Sequence, residues 1–364
     1  MKICEKKQYF FAQTKVKFAQ IIIFVFMKKK MITIKDIAEK TGYSISTISR
    51  SLKDHSDITE KTKQIVRDTA KDLGYQPNFF AQNFKSNRSN ILGVLVPDIE
   101  RGYYSSIISG MQERAIEQKF FIVACQSKDS FIDEIKAVQT LIGLNVDGIA
   151  IVHSKETSNF TEHNNIIKNN IPLLAIDREL FGLQTHFVSN DQFVAGFMIG
   201  EHLAKEGYKN IAIIGGPEQL VMSRQRINGC IAGAAANGVT IKKENIVYCN
   251  LQREREIFAV SELLNQKEAP DAIFCIYDRG AIEIVHYLNQ QQISIPKKVA
   301  VAGCGNDSFS HYLTPSLTTV DLNPHKLGEL AAEILINDII TGSVVEKTRN
   351  SLRPKLIVSD STKR

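Results

Sequence analysis

The sequence predicts a small all-α N-terminal unit of three short helices, followed by a larger α/β region built on parallel sheet. Three observations predict this. Residues 33–73 carry helical apolar periodicity that is broken at Gly42 and stopped at Gly74 and Pro77. From Ile91 onward, short wholly apolar runs alternate with helical stretches. Between the two patterns lies a polar connector, residues 77–90. A chain of 364 residues has room for two or three such units, and 43% apolar with 23% charged residues is an ordinary globular balance.

The first helix opens at Thr33, with Asp36 three residues on as a capping-box-like partner, and places Ile34, Ile37 and Ala38 on one face. Gly42 supplies the turn. Ser44 caps a second helix whose inward residues are Ile48 and Leu52, leaving Ile45, Ser46, Ser49, Arg50 and Lys53 facing out. A third helix, Thr59 to Leu73, carries Ile65, Val66, Thr69, Ala70 and Leu73 as its apolar stripe. The first pair reads as a helix-turn-helix, whose second helix lies in the major groove with its early residues at base edges. These residues alone also fit a surface αα-hairpin; the third helix shifts the reading toward a DNA-reading headpiece.

Residues 33–86 resemble the headpiece and hinge of the LacI/GalR family of bacterial transcription regulators. The resemblance is carried by Ile34-Lys-Asp-Ile-Ala38, by Ser44 to Arg50, and by Leu73-Gly-Tyr-Gln-Pro-Asn78 with Ala81 after it. It implies that Ile45, Ser46 and Arg50 read bases. Arg50 is the strongest reader, since an Arg bonds guanine O6 and N7 together, with about 1–3 kcal/mol of discrimination. Thr33, Ser44, Ser49, Asn78 and Ala81 are implied at phosphates and in the hinge. Residues 77–90 by composition read as a linker; the resemblance makes them a hinge helix that folds on DNA and wedges a leucine into the minor groove. Phe84 stands at that wedge position, with Lys85 and Arg88 beside it for phosphates.

Net charge does not argue for DNA binding. Residues 1–30 hold eight Lys against one Glu, residues 31–90 ten basic against seven acidic, and the remainder 27 basic against 31 acidic, so the overall +6 comes largely from the leader. That leader has the apolar run Ile21 to Phe26, too short for the ~20 residues a membrane span needs, and no small-residue cleavage site. Residues 1–30 are therefore expected to be an upstream extension that the cell does not usually translate, with Met27 or Met31 as the start. No membrane association is expected. Six cysteines without a C-x-x-C pair suit buried thiols in a reducing compartment, and the expected location is cytoplasmic, on the nucleoid.

The apolar runs of the α/β region are Ile91–Pro97, Phe121–Cys125, Val146–Val152, Pro172–Ile176, Ile211–Gly215, Ala272–Tyr277 and Val299–Ala302. Strands apolar on both faces and separated by helices mean parallel sheet covered on both sides; one doubly wound sheet is possible, and two lobes fit this length better. This whole region resembles the effector domain of the same family, itself similar to periplasmic sugar-binding proteins. Carrying residues include Gly93-Val-Leu-Val-Pro-Asp98, Val146-Asp-Gly-Ile149, Ala175-Ile-Asp-Arg178, Arg226-Ile-Asn-Gly229 and Pro315-Ser-Leu-Thr-Thr319. The expected architecture is thus a helix-turn-helix domain (31–76), a hinge helix (77–90), and a two-lobed, type I periplasmic-binding-protein-like effector and dimerisation domain (91–364). Lobe one is expected at about 91–195 and 322–350, lobe two at about 196–321 and 351–364.

Polar residues directly after the apolar runs, Asp98, Gln126, Ser127, Asp191 and Asp278, fall where a crevice would be, with Arg226 opening a helical stretch. The resemblance places Asp191, Arg226 and Asp278 at effector contacts, with Tyr103 or Tyr104 as an aromatic face and Ser127 nearby. Each taken singly is equally a helix cap or a surface charge. Two departures alter the ligand's partners: Gly305 and Asn306 stand where the family carries acidic or amide groups, and Ser359 stands near a common arginine. Absence of Trp removes the best sugar-stacking surface and favours a small or nucleobase-like effector.

The sequence thus predicts a homodimeric repressor, with a tetramer as the alternative assembly, that reads a palindromic operator in double-stranded DNA. A small molecule bound between the lobes, a sugar or sugar phosphate, would switch it, and the regulated operon would serve carbohydrate use. The alternative is a sugar-binding receptor for uptake. Catalysis is not expected: G-x-S-x-G, Walker and H-E-x-x-H motifs are missing, Gly215-Gly-Pro217 lacks the full dinucleotide fingerprint, and no cofactor or metal is implied.

Overall fold

A computed structural model describes residues 32–76, 88–250, 253–342 and 346–364. The chain divides into two compact units on either side of Asn87–Arg88. The leader and the hinge residues Asn78, Ala81, Phe84 and Lys85 lie outside the described residues.

The first unit contains α1 (Ile34–Thr41), α2 (Ile45–Leu52) and α3 (Glu60–Asp72). At the start of α1, the Thr33 N–H and hydroxyl both donate to the Asp36 carboxylate, at 2.8 and 2.6 Å. Gly42, at φ 75°, ends it with its N–H on Ala38 O, a left-handed backbone that a side chain adopts only with strain. Ile37, Ile48, Val66 and Ala70 form the core, with Leu52, Leu73 and Tyr75 packed against it. One expectation fails: Ile65 is exposed, and Lys63 is buried instead. The inward stripe of α3 runs 63, 66, 70, 73, one residue-step of rotation away from Ile65, and Lys63 is tolerated there because its ammonium reaches Glu60 (2.8 Å) and Asp54 (3.1 Å).

The second unit has two parallel sheets. In the first, β1 (Ile91–Val96), β2 (Phe121–Gln126), β3 (Gly148–Ile151), β4 (Leu173–Ile176), β5 (His186–Asn190) and β11 (Arg349–Leu352) take the order β11-β5-β4-β3-β1-β2. In the second, β6 (Ile211–Gly215), β7 (Ile246–Tyr248), β8 (Ala272–Cys275) and β9 (Ala300–Ala302) take the order β7-β6-β8-β9. A short antiparallel pair, β10 (Thr319–Asp321) with β12 (Lys355–Ile357), completes the second lobe.

The helices are α4 (Gly102–Glu117), α5 (Phe131–Gly143), α6 (Thr161–Lys168) and α11 (Pro324–Thr341) for lobe one, and α7 (Gln192–Lys205), α8 (Val221–Ala235), α9 (Arg253–Leu264) and α10 (Asp278–Gln290) for lobe two. All seven apolar runs hold strands. Phe121, expected inside, is exposed because β2 is an edge strand. The chain crosses between lobes at Asn190–Gln192, slightly before the expected residue 195, since Ala195, Ile199 and Leu203 of α7 belong to the second lobe's core. It recrosses between β10 and α11, and between β11 and β12.

Helix pairs α4–α11 and α7–α8 approach through glycines. A Cβ on Gly229 would lie 2.0 Å from Phe193 O, a backbone atom that cannot move aside. Gly229→Val should therefore destabilise the second lobe by at least the ~1–3 kcal/mol usual for overpacking. Gly143→Ala, which meets nothing within 4 Å, should be neutral or slightly stabilising. Urea unfolding of both variants measures the difference.

Among the described residues no helix is long and apolar enough to cross a membrane. Cys230, Cys249, Cys275 and Cys304 are buried free thiols, and burial pushes the Cys249 and Cys304 thiols up to about 11.

Candidate nucleic-acid interface and effector cleft

In the first unit, the Ser44 hydroxyl accepts from the Thr47 N–H at 3.1 Å and so fixes the start of α2. The same hydroxyl lies 2.8 Å from Ser46 Oγ. Ile45 (45% exposed), Ser46 and Arg50 form one outward face, while Ser49 is half-buried. Arg50 Nη1 pairs with Asp57 Oδ2 at 3.3 Å, both side chains about half exposed, and Asp57 also engages His55. Such a surface pair is worth about 0–1 kcal/mol, so it does not prevent transfer of Arg50 to another acceptor. Thr33 is committed to Asp36. Asp57 was missed by sequence reasoning, because nothing local marks a loop carboxylate seven residues away as a partner for Arg50.

In the second unit, polar side chains at the carboxyl ends of β4 and β5 join helix α8. Tyr103 OH donates to Asp177 Oδ1 (3.3 Å) and accepts from Asn190 Nδ2 (3.3 Å). Gln192 Nε2 donates to the same Asp177 oxygen at 2.9 Å. Arg226 Nε donates to Gln192 Oε1 at 2.7 Å, and its Nη1 to Ile276 O at 2.6 Å. This chain of bonds ties lobe one to lobe two. A second network surrounds Arg178, whose Nη1 donates to Asp129 Oδ1 and to His153 O, each at 2.7 Å, and whose Nη2 reaches Tyr104 OH at 3.5 Å. The Tyr104 phenol and the Asp129 and Asp177 carboxylates keep this buried guanidinium charged against the cost of desolvation.

Asp278 stands apart, within lobe two. It accepts from Thr319 Oγ1 (2.6 Å), Asp307 N–H (2.7 Å) and Ser310 Oγ (3.1 Å). A Cβ at Gly303 would lie 2.2 Å from its Oδ1, and Gly305 has φ 140°, open only to glycine. The departure at Gly305 therefore has a backbone reason. Burial pushes the Asp278 carboxyl up to about 6. Between about pH 4 and 6 the folded chain holds a proton that the unfolded chain has released, so this group favours folding at the acid end and loses that contribution as pH rises through 6. Asp278→Asn should remove the slope: its stability relative to the parent chain should improve as pH rises from 4 to 7, as read by urea unfolding at each pH.

A cavity of about 1300 Å³ opens beside the interlobe bonds, lined by Asp177, Asn190, Asp191 and Gln192 from one side and by Leu220, Val221, Met222 and Gln225 at the start of α8 from the other. Of the residues expected at the effector, Asp191 lines this cavity, though its Oδ1 accepts the Val194 N–H as the cap of α7. Tyr103 and Arg226 are joined to the wall through Asp177 and Gln192. Tyr104 belongs to the Arg178 network, Asp278 to its own cluster, and Ser127 is fully buried with no partner for its hydroxyl. Sequence reasoning missed Asp177, Arg178, Asn190 and Gln192 as site residues. Asp177 and Arg178 carried a signal, since they follow an apolar run directly. Among the described residues, Glu113, His325 and Glu329 could hold a metal ion, but they form ion pairs on the surface of lobe one.

Comparison with known proteins places both units. Residues 33–78 match the family described as bacterial regulatory proteins, lacI family, and residues 201–362 match the periplasmic binding protein-like domain. The chain is 27% identical over 312 residues to the HTH-type transcriptional repressor PurR of Proteus mirabilis, covering 85% of this chain and 91% of that protein. Its fold is similar to the lac repressor dimer bound to operator and the anti-inducer ONPF (TM-score 0.80, 21% identity, covering 92% and 100% of the two chains). It is also similar to a LacI-family transcriptional regulator from Silicibacter pomeroyi (TM-score 0.74, 25% identity, covering 92% and 100%).

Proposed function

The chain belongs to the LacI family of DNA-binding transcriptional repressors, whose members are not enzymes, and from that premise we propose how it works. Two copies read a palindromic operator in the cytoplasm, on the nucleoid, with Ile45, Ser46 and Arg50 at base edges. Thr33, Ser44 and Ser49 lie at phosphates, and Asn78, Ala81 and Phe84 in a hinge that enters the minor groove. Residues 31–76 are the DNA-binding domain and 91–364 the effector and dimerisation domain. The effector is a polyhydroxylated small molecule, and the regulated genes serve its uptake or breakdown.

The observation that carries the switch is the bonded chain Asp177–Gln192–Arg226–Ile276 at the wall of the cavity. A ligand that competes for Asp177 or Gln192 changes the stability of lobe closure, and so biases whichever lobe arrangement binds DNA. Dimerisation is supported by apolar side chains exposed along both sheet edges. These are Ile116, Phe121 and Ile132 beside β2, and Tyr248 and Phe258 beside β7, with Phe258 66% exposed.

Sedimentation of the chain starting at Met31 tests this together with operator titration. The chain should sediment as a dimer, and Phe121→Asp combined with Phe258→Asp should yield monomers with operator affinity lowered at least tenfold. A monomer with full operator affinity would contradict the proposal.

A further inference from the structure

We propose that the effector is an uncharged oligosaccharide rather than a single phosphorylated sugar, an inference that rests on reading the interlobe cavity as the effector site. Size is the first argument. A cavity of about 1300 Å³ exceeds the roughly 300–1,000 Å³ that encloses a drug-sized ligand, so one sugar ring would leave most of it to water. Its lining takes in both the His153–Thr161 loop of lobe one and the start of α8 in lobe two.

Charge is the second. Two basic side chains, Lys155 and Arg178, line the cavity against four acidic ones, Glu156, Asp177, Glu179 and Asp191. Arg178 is moreover spent on Asp129 and on the His153 carbonyl. A phosphate needs a cluster of free cations or N–H groups, and would meet an excess of carboxylates.

Chemistry of the wall is the third. Amides from Asn159, Asn164, Gln219 and Gln225 face the space together with the rings of Phe160 and Phe181. Asn190, 2% exposed, lines it with an Oδ1 that has no partner, an acceptor that a ligand hydroxyl satisfies. Amides that both donate and accept, beside apolar ring faces, suit a chain of sugars whose hydroxyls do both and whose ring faces are apolar. Phenylalanine takes the stacking role that the missing tryptophan would have filled.

Calorimetry on the full chain tests this with cellotriose, maltotriose, xylotriose and an array of other neutral oligosaccharides. Glucose, glucose 6-phosphate and hypoxanthine serve as the contrasting probes. At least one neutral oligosaccharide should bind, its monosaccharide and the phosphorylated sugar at least tenfold more weakly. Phe181→Ala and Gln225→Ala, at an exposed ring and an exposed amide, should each weaken binding about tenfold without lowering stability. Tighter binding of glucose 6-phosphate or of hypoxanthine, or no binding across the neutral array, would overturn the assignment. Operator titration in the same samples separates the two readings. An oligosaccharide that binds but leaves operator affinity unchanged contradicts the switch and not the ligand class; release by the phosphorylated sugar does the reverse.

Discussion

Arg226→Met should destabilise the second unit by about 3–5 kcal/mol and uncouple ligand from operator. Arg226 is buried, and its removal leaves Gln192 Oε1 and Ile276 O inside the protein without their donors. Losing a bond from a charged donor costs about 1.5–3 kcal/mol, and two are lost. Arg226→Lys should rescue little, because one ammonium on a flexible stem does not reproduce two N–H groups set in a rigid fork. Arg224→Ala, two residues away on the exposed side of α8, should change stability by under ~0.5 kcal/mol. Urea unfolding reads the stability. Operator release at saturating ligand reads the coupling, and Arg226→Met with a normal response would show that the interlobe bonds carry no signal.

Arg50→Ala should lower operator preference over unrelated DNA by about 1–3 kcal/mol, roughly five- to 150-fold, with stability unchanged within ~1 kcal/mol. The two effects separate because, among the described residues, the Arg50 side chain makes only an exposed ion pair with Asp57. Anisotropy titrations must compare both DNAs at one salt concentration, since phosphate contacts alone make affinity fall steeply with salt. If specific and non-specific affinity fall equally, Arg50 touches phosphate and the base-reading role belongs elsewhere on α2.

The headpiece was legible because its determinants are local. Thr33 with Asp36, Gly42, Ser44 and Gly74 are caps and turns that act within four residues, and a 3.6-residue period identifies the inward face. The failure at Ile65 shows the limit of that reasoning, as two adjacent apolar residues differ by about 100° around the helix and only packing chooses between them. The buried central strands were legible as apolar runs. Strands β5, β7, β10, β11 and β12 were not, because they are short, at edges or partly polar. The wiring of the interlobe bonds was not legible. Tyr103 and Arg226 were singled out, but their partners Asp177, Asn190 and Gln192 are brought to them by sheet order and by the crossing at residue 191, which no local pattern records. Asp278 shows the converse: a conspicuous carboxylate after a strand turns inward and holds the loop at Asp307.

The most direct test of the account is selection of genomic fragments by the purified chain starting at Met31, sequenced at two salt concentrations. One palindrome should be enriched, persisting at the higher salt and lost with Arg50→Ala, beside genes for transport or breakdown of an oligosaccharide. Fragments without a shared palindrome, or enrichment that disappears at the higher salt in the parent chain and in Arg50→Ala alike, would contradict it.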